Sequence, residues 1–296
     1  MIKILITGGT GTLGKALISD LYQNPSLEIH IFSRDENKQK ALKLIYPNLK
    51  CHIGDVCDRD DLNRLKHHNF VYVYHCAAMK HVEICEAHTV KCIKINYDGT
   101  KNVYWSLGKN PNTKFCFFTT DKAVAPINTY GLSKALSEKF LLEMNEVNNN
   151  CYIFRWGNIL GSTGSVIPIF VRQILNSEPV TITDFEMTRF WLKIEDAVDF
   201  VRATLASKTP GMHWPVSIKT APLLSVIREI GNILRIKEFI VEPIGLRPGE
   251  KIHEAMEDSE IGPTVTSDKY HVFEPKELNK VLTPLVCKLE REFHGS

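Results

Sequence analysis

The segment ILITGGTGTLGKALISDL spaces Gly8, Gly11 and Gly14 three residues apart, between an apolar run and an amphipathic stretch. Residues 2–7 read as a buried strand and residues 13–22 as a helix, so the glycines fill the strand-to-helix turn. Glycine allows a tight turn there, and it leaves the amides at the helix N-terminus open to an anion. The same rhythm continues. Apolar runs at 27–32, 50–53, 70–76, 114–120 and 151–156 alternate with helical patterns near 36–45, 59–66, 82–107 and 129–147. Strands that alternate with helices pair in parallel and carry helices on both faces of the sheet.

The fold class that follows is α/β: a Rossmann-type doubly wound parallel sheet with a smaller C-terminal lobe that binds substrate. After residue 160 the rhythm changes. GSTGSVIPIFVRQILNSEPVTITD holds a helix and a short strand, 195–206 and 222–235 are helical again, GMHWPV is strand-like, and from 236 on the elements are short. The expected division is 1–160 with 190–235 for the nucleotide-binding domain, and 161–189 with 236–296 for the lobe.

Bulk properties narrow the function classes. In 296 residues the formal net charge is +2 and neither sign runs in blocks, which gives no reason to expect a nucleic acid or an anionic membrane as partner. No apolar run reaches the roughly 18 residues of a membrane span, and MIKILITGG enters a strand directly without a signal-peptide pattern. The eight cysteines show no C-x-x-C spacing, so they read as reduced thiols of a cytoplasmic protein. His75, His81 and His253 do not stand at ligand spacing with carboxylates, and no metal site is expected.

The glycine turn suits the pyrophosphate of a dinucleotide, with Thr10, Thr12 and Leu13 in the same turn as the glycines. The second strand ends in IFSRDENK, where Ser33, Arg34 and Lys38 favour the 2′-phosphate of NADP, while Asp35 leaves NAD open. Asp55 and Val56, after the third strand, are placed for an adenine edge and face; the plainer role for Asp55 is to cap the next helix. Small Ala77 and Ala78 after the fourth strand let backbone lie against the cofactor, and Lys80 points to the same cleft.

In FFTTDKAVAPINTYGLSKALSEKF, Tyr130 and Lys134 lie one helical turn apart on a shared face. A nearby ammonium favours phenolate, so the expectation is a tyrosine of lowered pKa acting as base. An acid and an amine, Asp121 and Lys122, directly follow the fifth strand.

At this point the chain resembles an extended short-chain dehydrogenase/reductase of the polysaccharide-biosynthesis group, and most narrowly the inverting UDP-N-acetylglucosamine 4,6-dehydratases (5-epimerising). The likeness rests on TGGTGTLG, HCAAMKHV, TTDKAVAPINTYGLSK, RWGNILGSTGSVIP, DFEMTRFW and RPGEKIHE, and runs nearly end to end. It implies a UDP-sugar substrate, bound NADP and a 4-keto-6-deoxy product. It also implies roles: Tyr130 for the C4 hydroxyl, Lys122 for the C5 proton, Asp121 for the departing C6 hydroxyl, Thr120 as a hydrogen bond to the C4 oxygen, and Asn96 facing the active site. Two readings stay beside this one, a UDP-sugar 4-epimerase and a non-catalytic NADP-binding regulatory protein.

For the sugar nucleotide the expected contacts are Lys80, Asn158, an apolar wall of Val166 and Pro168, then Thr183, Met187, Arg189, Arg247 and Glu250. Arginine suits the diphosphate, since its fork matches phosphate oxygens; Met187 and Thr183 fit a core equally well. Trp156 stands where the family often has tyrosine. Relatives pair through helices like 82–107 and 129–147, which implies a homo-oligomer, a dimer or a hexamer.

Overall fold

Six strands form where the apolar runs place them: β1 (Ile2–Thr7), β2 (Leu27–Ser33), β3 (Lys50–Ile53), β4 (Tyr72–His75), β5 (Lys114–Thr120) and β6 (Cys151–Trp156). In the computed structural model, which describes residues 1–259 and 262–295, they join a seventh strand, Gly211–His213, in one sheet. Its order from one edge is Gly211–His213, β6, β5, β4, β1, β2, β3. The pairings β1–β2, β1–β4, β2–β3, β4–β5 and β6 with Gly211–His213 are all parallel. The chain winds outward from β1 in one direction through β2 and β3 and in the other through β4 to β6. The crevice beyond the C-terminal ends of β1 and β4 is therefore the switch point where such sheets bind ligands.

Local chemistry sets the turns around that crevice. Gly8 has φ +66°, and a Cβ there would lie 2.7 Å from the Ala77 nitrogen, so the turn after β1 sits against the turn after β4. Helix Thr12–Leu21 starts at Gly11 with no side-chain cap and no acidic residue in its first turn. By contrast, Asp35, Asp58 and Asn128 cap the helices Glu36–Ile45, Arg59–Asn63 and Thr129–Asn148. The expected single helix over 82–107 is divided: Val82–Ala87 ends at His88, which leaves helical geometry at φ −133°, ψ 54°. A second helical run, 89–108, follows, with π-helical turns at Lys94–Asp98 and Tyr104–Gly108.

The chain divides into two units, one of Met1–Arg155 with Ile194–Trp214, the other of Trp156–Lys193 with the chain from Pro215 on. These bounds differ from the expected ones mainly at helix Leu223–Leu234, which belongs to the second unit. Strand Lys219–Pro222 pairs antiparallel with Thr188–Leu192, and the apolar stripe Val226, Ile227, Ile230 and Leu234 packs with Ile167, Phe170, Ile174 and Leu282. Only Ile194–Trp214 returns to the first sheet. In the second unit Thr188–Leu192 also pairs with Asn158–Ile159, Val241–Pro243 pairs with Val180–Ile182, and Ala255–Ser259 forms a hairpin with Gly262–Thr266. Among the described residues no helix is long and apolar enough to cross a membrane. The eight cysteines are free thiols.

Candidate active site

The cradle of the first unit encloses a cleft of about 580 Å³. Gly8, Thr10, Gly11, Ser33, Arg34, Lys38, Asp55, Val56, Ala77 and Ala78 line it. So do Phe32, Gly54, Cys76 and Ile95, which were not expected from sequence, and Asp35, the carboxylate that left NAD open. Gly54 had a visible signal: it opens GDVCD, and a Cβ there would meet the Phe32 ring at 2.6 Å. Thr12, Leu13 and Gly14 form the first helical turn, and a Cβ on Gly14 would lie 2.6 Å from the Gly9 Cα. An uncapped helix start without a carboxylate, above a turn that excludes side chains, fits a dinucleotide diphosphate.

At the far rim of the cleft the charges sort themselves. Asp35 accepts a hydrogen bond from the Lys38 backbone amide at 3.0 Å, and its other oxygen pairs with Lys38 Nζ at 3.1 Å. The carboxylate that kept NAD open is thus occupied as a helix cap. The Arg34 side chain is 65% exposed, its nearest carboxylate Asp55 at 3.9 Å. Asp55 does not cap the helix that follows; Asp58 does, and Asp55 instead accepts from the Cys57 amide at 2.9 Å. Lys80 is exposed in the turn after β4.

At the C-terminal end of β5, Thr120 opens a tight turn, Asp121–Ala123. Asp121 is 0% exposed, and its Oδ1 accepts from Thr120 Oγ1 at 2.8 Å and from Lys122 Nζ at 3.2 Å. Helix Thr129–Asn148 comes back onto this turn through Gly131, whose Cβ, if present, would sit far inside contact distance of the Lys122 carbonyl oxygen. Gly131→Ala accordingly pushes the helix start, and Tyr130 with it, off the turn. We expect a fall in kcat of about 100-fold, the order reached by a 1 Å misplacement of a reacting group. Far-ultraviolet circular dichroism should show the helices intact.

The structure changes the expected electrostatics of Tyr130. Its phenol is raised above the ordinary range, first by loss of solvent and then by the Asp121 charge, while a hydrogen bond with Thr120 pulls it back. Lys134 is not among the main influences on it. The Lys134 ammonium, 4% exposed, donates to the Phe118 carbonyl at 2.8 Å and stands 4.4 Å from the Phe117 ring centre. Burial lowers Lys134 from 10.5 to about 8. Below pH 8 the protonated amine is buried at a cost; between pH 8 and 10.5 the unfolded chain holds the proton that the folded chain has released, so this group makes stability rise with pH. A shift of that size is worth about 3 kcal/mol. The unfolding free energy of wild type minus that of Lys134→Met should climb across this window, and a flat difference would show the amine to be solvated.

Asn96, in the π-helical turn, is 1% exposed and spends its amide on the Met79 backbone, at 2.8 and 2.9 Å, and on Ser133 at 2.9 Å. It ties the turn after β4 to the Tyr130 helix and positions both. Glu138, on the same helix, accepts from Arg155 at 2.7 Å and from Thr119 at 2.7 Å, which clamps the helix to β5 and β6. Trp156, at the family's tyrosine position, is 5% exposed.

In the second unit the expected substrate residues divide. Met187 is 2% exposed within the apolar core, so burial removes it from the candidate contacts. Arg189 is 7% exposed and donates to the carbonyls of Thr188 at 2.7 Å and Ile252 at 2.9 Å, bracing strand Thr188–Leu192. Glu250 accepts from the Arg247 amide at 3.3 Å and closes its own turn, leaving the Arg247 side chain exposed. Asn158, Val166, Pro168 and Thr183 are part-exposed.

The doubly wound sheet, the glycine cradle and the Y-x-x-x-K helix behind β5 together define an extended short-chain dehydrogenase/reductase. Residues 4–275 match the family described as polysaccharide biosynthesis protein, and the chain belongs to that family. A UDP-glucose 4-epimerase of Rickettsia massiliae (strain Mtu5) is 37% identical over 87% of this chain and 78% of its own length. An inverting UDP-N-acetylglucosamine 4,6-dehydratase of Campylobacter jejuni (strain 81-176) is 36% identical over 98% of this chain and 85% of its own. Among solved structures, Pen from Bacillus thuringiensis is 27% identical with a TM-score of 0.85, covering 96% of this chain and 97% of that one. DesIV of Streptomyces venezuelae, a dTDP-glucose 4,6-dehydratase with NAD bound, shares the fold at a TM-score of 0.79 and 18% identity over 99% and 98% of the two chains.

Proposed function

We propose that this chain converts UDP-N-acetylglucosamine to a UDP-4-keto-6-deoxy-L-hexose by 4,6-dehydration with inversion at C5, using NADP. The observation that carries this reading is the buried Asp121 carboxyl bonded to the Lys122 amine at the end of β5, in the turn on which the Tyr130 helix begins. Epimerisation at C4 needs little beyond a proton acceptor at that carbon. Dehydration must also remove the C5 proton and expel the C6 hydroxyl, which calls for a second base and an acid.

A nicotinamide cofactor, which Gly8, Gly11, Arg34 and Ala77 would hold, would supply a reversible hydride acceptor that ends the cycle unconsumed. Tyr130 takes the proton of the C4 hydroxyl, and Thr120 hydrogen-bonds the resulting oxygen. Lys122 then removes the C5 proton, acidic because it lies next to the C4 ketone. Asp121 protonates the leaving C6 hydroxyl, which departs as water. A proton drawn from solvent then adds to C5 on the opposite face and inverts the ring, while Tyr130 and Lys122 return the protons they took to solvent and Asp121 regains one. A single proton shift along the 3.2 Å Lys122–Asp121 hydrogen bond turns the ion pair into a neutral amine and a carboxylic acid, the base and the acid the reaction needs. Burial of the carboxyl lowers the cost of that shift, because desolvation disfavours the charged forms.

The exposed Arg34 guanidinium at the rim of the cleft supports recognition of a 2′-phosphate. Arg34→Ala should weaken NADP binding about 10- to 100-fold, the range for a hydrogen bond to a charged group, and leave NAD binding unchanged. Equal losses for both cofactors would remove the NADP assignment. Exposed Val90, Leu132, Leu136 and Val147 on the helical runs 89–108 and 129–148 support pairing of copies through these helices.

The reaction is tested by incubating the protein and NADP with UDP-N-acetylglucosamine in D2O and following the sugar by proton NMR. A 4-keto-6-deoxy product with an L-type ring and deuterium at C5 supports dehydration. The names of the Rickettsia relatives favour a second reading, 4-epimerisation; UDP-N-acetylgalactosamine as the sole product would establish it.

A further inference from the structure

Three histidines meet away from the cofactor cleft, at the β3 edge of the sheet. His30 lies in mid-β2, His52 in β3, and His68 ends the short turn Lys66–His68 that precedes β4. Register pairs Phe32 with His52, so His30, two residues before Phe32, projects from the same face of the sheet as His52. His30 Nδ1 is 2.8 Å from His52 Nε2, and the His68 ring centre is 4.4 Å from that of His30 and 5.6 Å from that of His52. One ring nitrogen from each histidine lies within 4.8 Å of the other two. Phe70 covers the inner side, its ring centre 5.0 Å from His30. His30 is 1% exposed, while His52 and His68 are part-exposed and give access from solvent.

A hydrogen bond between two imidazoles accounts for the His30–His52 contact. It does not account for the third ring, nor for the carboxylate behind the first. Glu28 Oε1 accepts from His30 Nε2 at 2.8 Å, which fixes the tautomer and turns the Nδ1 lone pair toward the other two rings. A carboxylate in that position is what supports a metal-ligating histidine. A zinc ion bonded at about 2.0–2.1 Å in tetrahedral geometry holds its nitrogens about 3.3 Å apart. That spacing falls between the 2.8 Å of the closest pair and the 4.8 Å outer limit, so small ring rotations close the site.

We infer that His30, His52 and His68 form a binding site for a divalent transition metal of the zinc class, with Glu28 orienting His30 and water completing the coordination. Three imidazole nitrogens select zinc, cobalt, nickel or copper over magnesium and calcium, which require oxygen ligands. The ion would brace β3, which has a sheet neighbour on one side only, to β2 and to the turn before β4. Its role is structural.

The test is a titration of untagged, metal-depleted protein with Co2+ alone, read by visible absorption, then with Zn2+, read by the melting temperature. Wild type should take up one equivalent of Co2+ with the intense bands of a four- or five-coordinate ion, and its Tm should rise with the logarithm of added Zn2+. His52→Ala and His68→Ala should lose the bands and the Tm response, and Glu28→Gln should weaken uptake 10- to 100-fold. His67→Ala should keep both, since its exposed ring lies tilted against His68 without belonging to the set. His68 sits on a short surface turn, and the melt recorded without metal shows whether each variant is folded. Wild type giving only the weak spectrum of aqueous Co2+, or a folded His68→Ala binding Co2+ as tightly as wild type, would reduce the cluster to a hydrogen-bonded group and overturn the assignment.

Discussion

Lys122→Met should stop the elimination while leaving the oxidation at C4 in place. Removing a positioned general base costs about 10²- to 10⁴-fold in rate. The proposed base acts only after the ketone has formed, so the loss should be confined to later steps. Mixed with UDP-N-acetylglucosamine in a single turnover, the variant should accumulate reduced nicotinamide, which wild type consumes as fast as it forms it. Exchange of the C5 hydrogen with solvent should disappear along with the product. Methionine keeps most of the apolar stem of the side chain without the amine, and the Thr120–Asp121 hydrogen bond of 2.8 Å does not depend on that amine. Near wild-type turnover by this variant would show that another group removes the C5 proton. Loss of nicotinamide reduction as well would mean that Lys122 serves binding or the first step.

The second large effect belongs to Tyr130→Phe, and its signature is the opposite one. Without the phenol the C4 hydroxyl has no proton acceptor, so reduced nicotinamide should not form and every later step should vanish with it. The expected fall in kcat is again about 10²- to 10⁴-fold, with substrate affinity little changed. The two variants together order the steps: one stalls before the cofactor is reduced and the other after. The raised Tyr130 phenol adds a pH signature. Solvent exclusion and the neighbouring Asp121 charge both oppose the phenolate. Asp121→Asn removes that charge, so the ascending limb along which Tyr130 becomes the phenolate base should move to lower pH even as elimination fails. An unshifted limb would separate the two side chains electrostatically.

The strands and the phosphate turn were legible because their signals are local. β1, β3, β5 and β6 start and end at the residues their apolar runs mark, and Gly8 is needed at φ +66° by a turn that its own neighbours define. Long-range pairing was not legible. Helix Leu223–Leu234 reads as an ordinary amphipathic segment, and only the pairing of Lys219–Pro222 with Thr188–Leu192 carries it into the second unit. Met187 shows the limit for single residues, since nothing near it in sequence says whether its side chain meets core or ligand.

Electrostatics separated from spacing in the same way. Tyr130 and Lys134 lie one helical turn apart, yet the ammonium is directed onto the Phe118 carbonyl and burial dominates the phenol. The histidine cluster escaped for a related reason: residues 30, 52 and 68 come from three separate segments, with no motif spacing among them. Asp121–Lys122 was legible as a pair because it is contiguous. Its burial became visible only in the fold.

The most direct measurement follows the hydrogen on C4. UDP-N-acetylglucosamine carrying deuterium at C4 is converted in ordinary water, and the product is examined by deuterium NMR. If the Asp121–Lys122 turn opens C6 to the returning hydride, the label appears in the C6 methyl group of the keto product. Deuterium found back on C4 of an epimerised sugar, with C6 still bearing its hydroxyl, would contradict the account.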